Sequence, residues 1–124
     1  MDVEKIVLVV DDDHAVLETM QILLESHGGF QVHCAMGSLG ATACLSAHEH
    51  FDIIVADVLL AGETTGIDVC SLGRRLFPQV GLVVISADRD SHQDDLPERS
   101  VYLRKPFGGK DLVAAIEQAQ QLVE

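Results

Sequence analysis

The run IVLVV at residues 6–10 is aliphatic and almost wholly β-branched, and it stops against three consecutive aspartates, Asp11, Asp12 and Asp13. An apolar run without polar alternation suits a strand covered on both faces, which is the habit of parallel sheets. Four more short runs follow: FQVHCA (30–35), FDIIVA (51–56), GLVVIS (81–86) and VYLR (101–104). Segments of helical period lie between them. Leu17, Met20, Leu24 and His27, widened by Val16 and Leu23, predict a helix that ends at Gly28 and Gly29. Ser38 can cap a second helix running to about Ala47, with Leu39, Ala43 and Cys44 facing inward. Gly66 opens a third, through Ile67, Val69, Leu72 and Leu76, that must stop before Pro78. A last helix carries Leu112, Ala115, Ile116, Ala119 and Leu122 on one side. The alternation predicts an α/β chain, a doubly wound five-stranded parallel sheet with helices on both faces, as one domain over residues 1–124.

Composition narrows the function classes. Twenty acidic against eight basic residues, a formal charge of −12, argue against direct nucleic-acid binding, which needs a Lys/Arg surface. No stretch approaches the ~20 apolar residues of a membrane helix. The start MDVEKIVLVV is too acidic for a secretory signal, so the cytoplasm is the expected location. Cys34, Cys44 and Cys70 are odd in number and lack a C-x-x-C pattern, which predicts buried free thiols. His48 and His50, two apart, point in different directions on a helix and make no zinc site.

In a doubly wound sheet, the loops at the carboxyl ends of the strands line the binding crevice. Four polar groups fall at such ends: the Asp11–Asp13 cluster, Asp57, Ser86 and Lys105. One aspartate suffices to cap the first helix, and Asp13 is placed for that; Asp11 and Asp12 need another explanation. Gathered carboxylates repel unless a cation sits among them. Lys105 supplies one charge, and a bound Mg2+, which takes one or two carboxylates plus waters and a phosphoryl oxygen, supplies two more. A carboxylate held in line with a phosphoryl donor can attack phosphorus, and Asp57 is the expected nucleophile.

VLVVDDDH, FDIIVADVLLAG, LVVISAD and YLRKPF, in this order and spacing, resemble the receiver domain of two-component response regulators over essentially the whole chain. The resemblance implies the flavodoxin-like (βα)5 fold. It also implies transfer of a phosphoryl group to Asp57 from a histidine kinase or phosphotransfer protein, with Mg2+ as cofactor and no substrate turnover. By the same resemblance, Asp12 matches the direct metal ligand, Asp11 its water-mediated partner, and the Leu59 carbonyl a third ligand. Ser86 matches the switch hydroxyl, Lys105 the lysine that pairs with the phosphoryl group, and Tyr102 the aromatic switch; the Lys105–Pro106 bond is cis in similar proteins.

Three departures stand out. Ala61 and Gly62 occupy the loop where a proline is usual, Leu59 replaces an often polar residue, and residues 87–100 are short and polar, which predicts a shortened fourth helix. Two rival readings exist. DDDHAVL also fits a haloacid-dehalogenase-type phosphatase with Asp11 as nucleophile and Asp13 as acid/base, but this leaves Asp57 idle. A receiver-like interaction module that is never phosphorylated would be expected to have lost the aspartate or the lysine, and both are present. No output segment follows Glu124, so a stand-alone receiver or a piece of a larger protein is expected.

Overall fold

A computed structural model describes residues 4–58, 65–87 and 96–124. Strand β1 (Lys5–Asp11) leads to α1 (His14–His27), β2 (Phe30–Met36), α2 (Gly37–Ala47), β3 (Ile53–Asp57) and α3 (Gly66–Leu76). Strands β4 (Gly81–Ser86) and β5 (Ser100–Arg104) then precede α4 (Gly109–Val123). All five strands pair in parallel, in the order β2-β1-β3-β4-β5. The shortened helix expected between β4 and β5 falls mostly on residues 88–95, outside the described residues. Among the described residues, no helix is long and apolar enough to cross a membrane.

The aliphatic runs split by alternation into two cores, because successive side chains of a strand point to opposite faces. Val7, Val9, Ile53, Val55, Val83 and Ile85 pack against α1 and α4. Leu8, Val10, Ile54, Ala56, Leu82 and Val84 pack against α2 and α3. Burial on both faces is why Val7–Val10 of β1, and β3 and β4, carry no polar side chain until the last position of each strand.

Several helix faces differ from the sequence reading. His27 is exposed and only tilts against Phe30, since α1 has already reached its glycine cap. In α2 the buried residues are Ala41 and Leu45, while Leu39 is 87% exposed; the helix starts at Gly37, which turns Leu39 outward. Ser38 lies in the first turn rather than at the cap, and its carbonyl accepts from the Thr42 hydroxyl. Helix α3 approaches β3 through Val69, Cys70 and Gly73, with Leu76 left exposed, because a Cβ at Gly73 would meet Ile54 Cδ1 at 2.2 Å. At the end of α4 the buried residue is Val123, not Leu122. The three cysteines are free, but only Cys70 is buried.

Candidate functional site

Strand order reverses between β1 and β3, so the carboxyl ends of these neighbours flank one crevice. Asp11 closes β1 and Asp57 closes β3; they are 5% and 6% exposed. Lys105, just past β5, reaches across to them. Its Nζ donates to Asp57 Oδ2 at 2.5 Å and lies 3.9 Å from Asp11 Oδ2. The Lys105 backbone N–H donates to the Ser86 carbonyl at 3.0 Å, and the Lys105–Pro106 bond is cis, as expected. Ser86, at the end of β4, is also buried. Thus four strand ends bring Asp11, Asp57, Ser86 and Lys105 to one end of the sheet.

The charges do not balance. Asp11 Oδ1 accepts from the Asp13 N–H at 2.8 Å, yet its Oδ2 is buried without a hydrogen-bond partner among the described residues. Burial raises the Asp11 carboxyl above its ordinary value; the Asp13 N–H opposes this, Asp57 adds to it, and Lys105 opposes it in turn. Burial alone would lower Lys105, but its hydrogen bond to Asp57 and the nearby carboxylates outweigh this and raise it. An acid whose folded value is raised favours folding below its unfolded value and withdraws that support as pH climbs through the folded value. In the metal-free protein the Asp11 contribution to stability is therefore expected to fall as pH rises from about 4 through its titration. Asp11→Asn should flatten that dependence and raise the melting temperature near neutrality, as thermal denaturation in chelator would show.

Asp13 caps α1, its Oδ1 accepting from the Ala15 N–H at 2.9 Å. This is the role expected of it, and it leaves the phosphatase reading with an exposed, engaged acid/base. Asp12 is half-buried, with Oδ1 against the start of α2, where a Cβ on Gly37 would lie 3.1 Å away. Tyr102 sits on β5 opposite Val84 and is half-buried. Leu59 lies outside the described residues, so its carbonyl has no described place. Among the described residues, no three His, Cys, Asp or Glu side chains are grouped to hold a metal. Mg2+ does not require three, since it keeps several waters. The orphaned buried oxygen of Asp11 beside a second buried carboxylate fits a small hard cation.

Three features of the site's surroundings escape the sequence reading. Gly66 lets α3 start directly against the backbone of β3, its N–H donating to the Val58 carbonyl at 3.1 Å. Thr65 and Asp68 form a reciprocal cap there, signalled by the T-x-x-D spacing, which fixes the helix start beside Asp57. Arg74, on the last turn of α3, donates to the carbonyls of Glu98, Arg99 and Val80 at 2.7, 3.1 and 3.1 Å. It thereby ties the approach to β5 onto α3, and no sequence pattern marks it.

Known proteins share this fold. The family model described as the response regulator receiver domain matches residues 7–117. The chain is 32% identical over 120 residues to the alkaline phosphatase synthesis transcriptional regulatory protein SphR of Synechococcus elongatus, covering 87% of this chain and 46% of that protein. It is 37% identical over 119 residues to the transcriptional regulatory protein AruR of Pseudomonas aeruginosa, with the same coverage of 87% and 46%. The chain thus spans about half the length of the curated relatives it matches. Among solved structures, a response regulator receiver protein from Sinorhizobium medicae superposes with a TM-score of 0.87 at 24% identity, covering 98% of each chain. The chemotaxis response regulator CheY4 of Vibrio cholerae superposes with a TM-score of 0.79 at 20% identity, covering 94% of this chain and 98% of that one.

Proposed function

Because the chain belongs to the response regulator receiver domain family, we propose that Asp57 accepts a phosphoryl group from a histidine kinase or phosphotransfer protein, with Mg2+ bound beside it. The observation that carries this reading is the Lys105 ammonium held at 2.5 Å from one buried carboxylate and 3.9 Å from another, whose facing oxygen has no hydrogen-bond donor among the described residues. Asp12 and Asp57 would hold the ion directly, with Asp11 through water and the Leu59 carbonyl as a third protein ligand. Bound there, Mg2+ supplies positive charge against the phosphoryl oxygens. An Asp57 carboxylate oxygen attacks phosphorus as the N–P bond of the phosphohistidine breaks, and the imidazole keeps that electron pair. Lys105 Nζ passes from the carboxylate to a phosphoryl oxygen. The Ser86 hydroxyl, able both to donate and to accept, closes on another, and Tyr102 follows as the aromatic switch.

The reading places the domain in the cytoplasm, with the kinase, and gives it self-phosphorylation and self-dephosphorylation chemistry rather than turnover of a free substrate. Direct nucleic-acid binding by these residues is not proposed, given a formal charge of −12. The division of roles among the aspartates supplies the test. Asp12→Ala should remove most Mg2+ affinity and most transfer from a phosphohistidine donor. Asp13→Ala should leave Mg2+ binding nearly intact and cost about 1 kcal/mol through the lost cap. Calorimetric Mg2+ titration beside chemical denaturation separates them, and equal losses of affinity would refute the assignment.

A further inference from the structure

Away from the crevice, the inner face of the edge strand β2 carries an imidazole where the neighbouring strands carry aliphatics. His33 lies opposite Leu8 of β1, on the face covered by α2. Its ring meets that of His48, the residue that ends α2, edge to face with centroids 4.7 Å apart. Phe51 completes the group, 5.0 Å from His48 and 5.8 Å from His33, and rests in turn on Phe77. Phe51 is buried and precedes β3, so the cluster lies at the end of that strand opposite Asp57. We propose that His33 and His48 form a proton-sensitive clamp that holds the end of α2 and the approach to β3 against β2, and that acid opens it.

The hydrogen bonds set the tautomers, and the one at His33 favours its neutral ring. His48 Nδ1 is 2.8 Å from the Cys44 carbonyl, which only accepts, so Nδ1 carries the proton and Nε2 is the site left to protonate. Gln31 Nε2 is 3.3 Å from His33 Nε2, a contact in which the amide donates to an unprotonated nitrogen. Protonating His33 there sets two N–H groups against each other until the amide turns. A single imidazolium is tolerated against the Phe51 ring; two, at this separation, repel.

Among the described residues, no charged group compensates the pair. On α2 the neighbour is the Cys44 thiol, 3.7 Å from His48 Nδ1 and pushed above its ordinary value by burial. On β1 the facing residue is Leu8. In the approach to β3, Glu49 is exposed, His50 pairs with Asp52 Oδ1 at 2.7 Å, and Asp52 Oδ2 accepts from the Ile6 N–H. Among the described residues, neither His33 nor His48 has a carboxylate partner. Burial first, and the charge of His48 second, hold His33 below the ordinary imidazole value. A base lowered on folding loses protein stability as pH falls below the unfolded value, which sets the window at about pH 6.5 and below.

Imidazole titrations by NMR test the coupling. In His48→Phe, which keeps an aromatic ring but cannot charge, the His33 midpoint should rise by about half a pH unit, the repulsion expected at this distance in a wet site. His33→Gln keeps a polar side chain at that position but cannot charge there. The fall in melting temperature of the wild type between about pH 8 and about pH 5 should be smaller in each variant. The His33 shift supports the clamp; if His48→Phe fails to fold, the smaller fall in His33→Gln supports it instead. An unchanged His33 midpoint in His48→Phe, or an undiminished pH-dependent fall in a variant that does fold, would overturn it.

Discussion

Gly66→Ala is expected to cost about 3 kcal/mol or more of stability and to slow phosphorylation of Asp57 roughly 100-fold. The reason is backbone on backbone. A Cβ at position 66 would lie 1.9 Å from the Asp57 carbonyl oxygen, 2.6 Å from its carbon and 3.1 Å from the Val58 nitrogen. No flexible side chain is present to give way, so the start of α3 or the end of β3 must move, and Asp57 moves with it. Gly73→Ala is the control. Its Cβ would meet the tip of Ile54 at 2.2 Å, a clash that a rotamer change in the core can partly absorb. It should lower stability while leaving the phosphorylation rate within a few-fold. Urea denaturation and the rate of labelling by acetyl phosphate measure the two effects, and an equal loss of labelling in both variants would contradict the local account.

Lys105→Met should lower the rate of phosphoryl transfer to Asp57 by about 100-fold, the scale of losing one preorganised charge at the developing phosphoryl oxygens. The ammonium now stands 2.5 Å from Asp57 and 3.9 Å from Asp11, and methionine keeps much of the stem volume without the charge. Mg2+ binding, measured separately, should survive because no ligand is removed; the loss must appear in the transfer step. A rate within a few-fold of wild type at saturating Mg2+ would show that Lys105 serves only to pair the carboxylates in the resting state.

Much of this architecture is legible in the residues. The parallel sheet follows from aliphatic runs suited to burial on both faces, and the crevice follows from the polar residues that stop four of the five runs. Asp11, Asp57, Ser86 and Lys105 stand together because topology brings those stops to one end of the sheet. Helix faces were harder to read. Leu39 is apolar but turned outward, whereas Ala41, Cys70 and Gly73 are buried because close approach to the sheet selects small residues over hydrophobic ones. Gly66 reads as a helix start, and only the packed backbone shows that it must lack a side chain. Arg74 and the His33–His48 pair depend on contacts between distant segments, for which local periodicity carries no signal.

Intact-protein mass spectrometry after incubation with acetyl phosphate and Mg2+ tests the central claim most directly, that Asp57 is the acceptor. The wild type should gain a single phosphoryl group, acid-stable and base-labile, that chelation of the metal prevents. Asp57→Asn should gain none. An equal gain on Asp57→Asn, or no gain on the wild type with either acetyl phosphate or a phosphohistidine donor, would contradict the account.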